Sequence, residues 1–453
     1  MIHKFECNGY YLALDVASGS VYILDALSYE LLDYLTPPLT KACPEQAIQA
    51  LEGRYSAKDI VDSYQELYQL YQEERLFVED DFEQYANVLA ASPIKSMCLN
   101  VAHDCNLRCS YCFASTGDFG IGRKLMPEEV GRKALDFLVE HSKGRHNLEV
   151  DFFGGEPLMN FEVVKKLVAY GRSLEKGYDK TFRFTITTNG MLLDDEKIDF
   201  INHEMSNVVL SIDGRKSVTD YVRKRVDGSG CYDTILPKFK RLVEKRNHQD
   251  YYARGTFTKY NLDFSEDVDS LFAQGFDQIS IEPVVGDPAC DYSINEQDLP
   301  IIFAEYEKLA QKLIAYRKAG KRINFFHFMI DLDQGPCVIK RLKGCGCGNE
   351  YVAVTPDGDI FPCHQFVGND QWKMGNVMDG SFNFPMKADF AEANIYHKPL
   401  CKDCWAKFFC SGGCNANNAQ YCGSIFNPHT LSCELEKKRL ECAIMIKAAM
   451  AEE

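Results

Sequence analysis

Apolar and polar positions alternate with a period of two in the first stretch of the chain, in the short runs "KFECN", "YYLALDV" and "SVYILD", which Asn8, Gly9, Ser18 and Gly19 separate. That pattern predicts three strands joined by turns. The period then lengthens to that of a helix over Ser28 to Leu35, Pro44 to Leu51 and Ala57 to Leu76, with Ser28 as the N-cap of the first. Residues 1–85 therefore read as a small α+β unit, and the polar, weakly periodic "EDDFEQYANVLAASP" as a linker centred on 86–93. From 94 to 320 strands and helices alternate, the mark of βα units around a parallel sheet. The strands are "IKSMCLNVA", "LEVDFF", "FRFTIT", "NVVLSI", "YYARGTF" and "QISIEPV"; helices follow at Pro127 to His141, Phe161 to Lys176, Asp194 to His203, Tyr232 to Arg246, Ser265 to Gln274 and Glu296 to Lys318. Six βα repeats fall two short of a closed eight-stranded barrel, so the fold class is α/β with a partial, open (β/α)6 barrel. The last segment, 335–453, is loop-rich and dense in Gly and Cys, and it closes with a helix near Leu431 to Ala449. It has too few regular elements for a conventional core, so something besides apolar burial must hold it.

Composition narrows the function. A hydrophobic content of 46% suffices for full-sized cores. No run of about 18 apolar residues occurs, and "MIHKFECNGYY" lacks the apolar stretch of a secretory signal. The expectation is a cytoplasmic protein with no membrane partner. A formal charge of -16 opposes any polyanion, so nucleic acid is excluded as a partner. Nineteen cysteines are many for a reducing compartment, where metal explains them better than disulfides. Cys7, Cys43, Cys98, Cys231, Cys290 and Cys442 are scattered and read as small buried apolar residues, whereas most of the others form two groups.

The first group is "CNLRCSYCF", where Cys105, Cys109 and Cys112 follow the first barrel strand at its C-terminal end, the face on which barrels of this kind carry their active sites. Iron–sulfur cubanes normally take four thiolates. Three leave one iron free for a cofactor or substrate. Zinc fits less well, because the flanks offer His103 but no paired spacing. "FFGGEP", Phe152 to Pro157, ends the second strand, and its two glycines allow close backbone approach to a ligand; taken alone, it also reads as a turn with a helix-starting proline.

This Cys-x3-Cys-x2-Cys resembles the radical S-adenosylmethionine superfamily. The resemblance implies a [4Fe-4S] cluster on Cys105, Cys109 and Cys112, with S-adenosylmethionine chelating the open iron and yielding a radical that abstracts hydrogen from substrate. It further implies that Tyr111, Phe113, Gly154, Gly155 and Glu156 line the cofactor site, with Glu156 on the methionine amino group. Ser211 in "SIDG" is similar to a ribose contact, and Arg223 in "DYVRKR" stands where an arginine pairs with the methionine carboxylate. Arg225 competes for that place, and either arginine also reads as a solvated helix charge. Asn189 in "TTNG" reads equally as pocket-lining or as a turn residue.

In the second group, "CKDCWAKFFCSGGC" and "CGNEYVAVTPDGDIFPC", with Gly358 five residues before Cys363, resemble the SPASM extension and its two auxiliary clusters, for a total of three [4Fe-4S] clusters. A structural zinc ribbon is the plain alternative, although ribbons rarely interleave so many thiols. Family ligand order implies Cys401, Cys404, Cys410 and Cys433 for one cluster, and Cys363 and Cys414 with Cys345 or Cys347 for the other. Cys345 leaves the Gly348 to Val354 segment more length to wrap, and Cys347 is then a fourth ligand or a spare thiol. Cys337 and Cys422 read as structural thiols. Phe361, His364 and Gln365 flank Cys363 and can tune its cluster, though His364 also reads as a surface histidine. The N-terminal unit resembles the winged-helix-like recognition domain of ribosomal-peptide maturases, which implies a leader peptide bound by β-augmentation. The whole chain is similar to the maturases of six-cysteine peptides, the SCIFF family. Implied are thioether crosslinking of a ribosomal precursor peptide and an external electron donor.

Overall fold

The computed structural model describes residues 1–332 and 341–451; Cys337 lies outside them. Strands β1 (Ile2–Cys7), β2 (Tyr10–Asp15) and β3 (Val21–Leu24) form an antiparallel sheet in that order. Asn8 and Gly9 both take positive φ, as a two-residue hairpin loop requires. The first helix starts at Ala26, earlier than its sequence pattern suggests. Its N-cap is Asp25, extended and accepting the Ser28 N–H at 2.7 Å, so Ser28 sits inside the first turn. Helices Glu45–Leu51 and Ala57–Gln72 complete the unit, which buries Leu31, Leu51, Ile60 and Tyr64 in a core of its own.

The barrel strands are β4 (Ser96–His103), β7 (Asn147–Gly154), β8 (Thr181–Thr188), β9 (Asn207–Ser211), β11 (Tyr251–Phe257) and β12 (Gln278–Pro283). Between them in the chain lie the short β5 (Leu107–Cys109), β6 (Lys124–Leu125) and β10 (Arg223–Arg225). The six barrel strands are parallel and adjacent in chain order, as the sequence predicts, with helices Glu128–His141, Phe161–Tyr178, Asp195–Glu204, Tyr232–Lys245, Ser265–Ala273 and Leu299–Lys318 between and after them. A seventh helix, Lys216–Val222, was not expected; it delivers β10 to the cysteine loop.

The sheet stays open. β13 (Asn324–Phe325) adds to β12 at one edge, and β14 (Tyr351–Val354) pairs parallel to β4 at the other, continuing through β15 (Asp359–Phe361), β16 (Gly375–Asn376) and β17 (Ser381–Phe382). The C-terminal segment is thus stitched into the barrel sheet, which corrects the expectation that it lacks a conventional core. It buries Phe361, Phe366, Val367, Phe390 and Ile425 in a cluster shared with Cys98, Ala114 and Phe119 of the barrel segment, and helix Thr430–Ala451 sends Ile444 and Met445 into the main core. The expected linker is not a bare connector either. Phe82–Ala91 winds into 3-10 turns, and Phe82 packs edge-on against Phe408. No helix among the described residues is long and apolar enough to cross a membrane.

Candidate functional site

Most of the site lies at the C-terminal ends of the barrel strands. The cysteine loop follows β4 and is clamped from one side by β10, whose Arg223 lies opposite Cys109 in an antiparallel ladder. From the other side it is clamped by the glycine pair after β7. A Cβ on Gly154, which sits at φ +126°, would meet the Ala102 carbonyl oxygen at 2.2 Å, and one on Gly155 would meet that of Asp104 at the same distance. The close approach these glycines permit is therefore to the chain itself: they let β7 seat the loop that carries Cys105.

The three thiols line one cavity of about 300 Å³ together with Tyr111, Phe113, Gly154, Gly155, Glu156, Asn189, Ser211 and Arg223. Burial pushes the Cys105 thiol up to about 11 and the Cys109 thiol further, and the thiols beside each of these two oppose its ionisation as well. Such thiols stay neutral unless a cation holds them as thiolates. No group of three or more His, Cys, Asp or Glu among the described residues converges tightly enough for a single metal ion. The donor set, all sulfur and open on the side of Glu156, suits a cluster with one free iron.

Around the cavity the polar groups are fixed. Glu156 is fully buried and accepts from the backbone N–H of Leu158 (3.1 Å) and Asn189 (2.8 Å) and from the Thr188 hydroxyl (2.8 Å). Burial still pushes its carboxyl up to about 7. Asn189 is both a pocket and a turn residue: its amide donates to Asn106 at 2.8 Å while its oxygen accepts the Met191 N–H at 3.0 Å. Arg223, not Arg225, faces the cavity. Its Nε and Nη2 donate to the two carboxylate oxygens of Asp213, at 2.7 and 3.2 Å, whereas Arg225 donates to Thr234. Asp213, wholly buried, also accepts the Tyr111 hydroxyl (2.8 Å) and the Thr256 N–H (2.8 Å). It is the hub of this corner, and reading "SIDG" for its serine overlooked it. Arg254, midway along β11, and Glu282, near the end of β12, are paired at 2.6 Å, also line the cavity and were not foreseen. Their signal was the inward register of two barrel strands.

The C-terminal segment reaches the same cavity. His364, Gln365 and Asn417 line it, and the His364 ring lies 4.9 Å from that of Phe153 and 5.3 Å from that of Phe113. Burial lowers His364 to about 4, so it is a neutral interior residue and not a surface one. Directly behind it, four thiols form one group. Cys347 donates to Cys363, lowering the latter's pKa, and both Cys345 and Cys414 act electrostatically on Cys347. Cys401, Cys404, Cys410 and Cys433 line a second cavity of about 220 Å³. Lys398, 1% exposed, stands between the groups: its ammonium donates to the Gly412 carbonyl and to Asn415, both at 2.8 Å, and senses Cys401, Cys410, Cys414 and Cys345. Cys422 joins neither group, its thiol donating to the Pro428 carbonyl.

Residues 99–253 match the radical SAM superfamily, so the chain carries a radical SAM domain on this barrel. Residues 345–405 match the iron–sulfur cluster-binding SPASM domain. A cysteine-type anaerobic sulfatase-maturating enzyme of Clostridium novyi (strain NT) is 24% identical over 344 residues, 69% of this chain and 86% of its own. Native anSMEcpe with bound AdoMet and Kp18Cys peptide superposes with a TM-score of 0.65 at 20% identity, over 79% of this chain and 100% of that one. Streptococcus suis SuiB bound to precursor peptide SuiA superposes with a TM-score of 0.52 at 16% identity, over 92% and 94%. At these identities the structural likeness is one of fold. The two domains imply iron–sulfur clusters and S-adenosylmethionine as cofactors.

Proposed function

We propose that this protein is a radical S-adenosylmethionine maturase that joins a Cys sulfur to a carbon of an acceptor residue in a ribosomally made, cysteine-rich peptide. One observation carries the reading. The cavity that gathers Cys105, Cys109, Cys112 and Glu156 is walled on its far side by His364 and Gln365, next to the Cys345, Cys347, Cys363 and Cys414 group. Hydrogen abstraction and a second redox centre would then serve one enclosed space.

In this reading Cys105, Cys109 and Cys112 hold the first cluster, Glu156 takes the amino group of S-adenosylmethionine, and Ser211 and Arg223 lie along its remaining length. Asp213 holds the Arg223 fork and the Tyr111 ring in place, and Phe113 closes the rim. Cys401, Cys404, Cys410 and Cys433 hold a second cluster, and Cys345, Cys347, Cys363 and Cys414 a third. Of these four Cys345 is the exposed one, so a substrate thiolate would reach the site by displacing it. When bound, the cofactors supply the hydrogen-abstraction chemistry, and the protein orients the peptide and keeps water out. β3 is an edge strand with Ile23 exposed, which suits it to take a leader peptide as an added strand. An external reductant is required. Free thiols throughout the described residues suit a reducing cytoplasm.

The test is anaerobic reconstitution followed by incubation with S-adenosylmethionine, a reductant and a leader-bearing cysteine peptide. Deoxyadenosine should form and the peptide should lose two hydrogens while keeping its sulfur. The sulfatase-maturating relative favours a second reading, oxidation of Cys to formylglycine. Loss of the peptide sulfur would select it over thioether formation.

A further inference from the structure

An ion pair on the floor of the cavity stands apart from the groups that would hold the cofactors. Arg254 on β11 and Glu282 on β12 both point into the barrel, and Arg254 Nη2 and Nε donate to the two carboxylate oxygens at 2.6 and 3.3 Å. The side chains keep 45% and 34% of their surface accessible, so the pair is half open to the cavity. It also lies between the two walls. The Arg254 charge acts on Tyr111 and Arg223 on the side of the cysteine loop, and the charges of both partners act on His364 opposite.

The pair is braced from behind. His327, in the turn after β13, is 8% exposed; its Nδ1 lies 2.9 Å from Arg439 Nη1 on helix Thr430–Ala451, and its Nε2 lies 3.2 Å from the Ser280 hydroxyl and 3.9 Å from Glu282. A guanidinium only donates, so Nδ1 accepts and the ring proton sits on Nε2, facing Ser280 and Glu282. Burial and the Arg439 charge lower this histidine to about 3 and keep it neutral. Burial opposes ionisation of Glu282, but the Arg254 charge outweighs it and holds the carboxyl at about 2. Arg439 in turn pairs with Glu436, and its buried Nε has no partner among the described residues. Desolvating so many charged and polar groups opposes folding, and a half-exposed ion pair returns little. Stability therefore gives no account of the chain.

The pair carries no net charge, so it offers little to a charged ligand. What it presents is one free donor, Arg254 Nη1, which makes no bond among the described residues, beside the outer lone pairs of a carboxylate that stays ionised. A peptide main chain presents the complement, a C=O and an N–H on each residue. We infer that Arg254 and Glu282 clamp the main chain of the substrate peptide at the acceptor residue, Arg254 donating to its carbonyl and Glu282 accepting its N–H. The carbon to be attacked then faces the cysteine loop, and the peptide cysteine faces the Cys345, Cys347, Cys363 and Cys414 group. The inference rests on the peptide-maturase reading and adds to it the residues that set which carbon reacts. Because the clamp reads main chain, it accepts different side chains at the acceptor position.

An ester scan tests it. A leader-bearing cysteine peptide that the unaltered enzyme modifies is remade with single amide-to-ester replacements around the mapped crosslink. Affinities are measured by fluorescence anisotropy on the cluster-bearing enzyme with S-adenosylmethionine and no reductant. The replacement that removes the acceptor residue's N–H should weaken binding by about tenfold, the worth of a hydrogen bond to a charged group. Against Glu282→Ala the same replacement should make no difference. Arg254→Gln should bind the all-amide peptide about tenfold more weakly and yield about tenfold fewer crosslinks per deoxyadenosine, because an unclamped carbon leaves the attack position. Its affinity for S-adenosylmethionine should be unchanged, and Arg254→Lys should recover part of both losses. The scan on the unaltered enzyme decides even where a variant fails to fold. A scan in which no position stands out, or an ester penalty that survives Glu282→Ala, overturns the clamp and leaves the maturase reading standing. Loss of S-adenosylmethionine affinity in Arg254→Gln gives the pair to the cofactor and overturns the clamp as well. If the unaltered enzyme modifies no such peptide, both fall.

Discussion

Asp213 has no exposed surface, yet it holds Arg223, Tyr111 and the Thr256 N–H at once. Removing its carboxylate leaves a buried guanidinium unpaired, which costs about 3–5 kcal/mol. Asp213→Ala should therefore lower the denaturation free energy by roughly that amount; a loss below about 1 kcal/mol, the worth of an ordinary surface pair, would show that Asp213 is not the hub. Glu156 gives a pH dependence. Its carboxyl, raised to about 7 by burial, must be ionised to accept fully from the methionine amino group. Affinity for S-adenosylmethionine should then fall by about tenfold per pH unit below pH 7, measured by calorimetry on the cluster-bearing protein. A flat profile between about pH 7.5 and 5.5 would remove Glu156 from the amino-group site. Lys398 places a cation between the two C-terminal thiol groups, and a cation favours the more negative, reduced form of a cluster beside it. Lys398→Met should lower at least one auxiliary midpoint potential by roughly 60 mV, one tenfold step in a one-electron equilibrium. At this scale the sequence displayed the thiols, because three or four cysteines at close intervals have few other meanings. Asp213, Lys398 and Arg254 could not be read from it, since each owes its role to groups that meet it across the barrel or from another segment.

Among the elements, the six barrel strands and their helices were legible because each alternates or repeats with its own period over seven or more residues in most cases. β14 was not. "YVAV" is four residues long, and nothing local says that it will pair with β4, some 250 residues earlier in the chain. The same limit hid the helix Lys216–Val222 and the β5–β10 ladder, which is three residues long on each side. The junction of β7 with the cysteine loop gives a sharp expectation. Gly154→Ala forces a Cβ onto the Ala102 carbonyl oxygen and strains a backbone at φ +126°, so the loop must shift. The variant should lose about one third of its iron on the three-cluster reading, the C-terminal sites remaining filled. Full iron content with unchanged spectra would mean that the loop tolerates the displacement.

In the whole molecule, three segments that look separable in sequence share one core. Phe5, Cys7, Leu12 and Leu14 of the N-terminal sheet belong to the same buried cluster as the barrel, and His3 stacks on Trp405 at 3.7 Å while bonding Glu441. The N-terminal unit is therefore part of one body with the barrel and not a tethered module. Hydrogen exchange should find the β1 amides protected to the level of the barrel strands; early exchange of β1 as a unit would contradict this. Whatever the peptide proves to be, the account stands on three thiols that present one open iron to S-adenosylmethionine in the barrel mouth. The most direct measurement is electron paramagnetic resonance of the reduced, anoxically reconstituted protein with and without S-adenosylmethionine, beside the variant Cys105→Ala/Cys109→Ala/Cys112→Ala. The account predicts that the cofactor alters one cluster signal in the unaltered protein and none in the variant, which keeps roughly two-thirds of the iron. A spectrum indifferent to S-adenosylmethionine, or a variant that loses nearly all its iron, would contradict it.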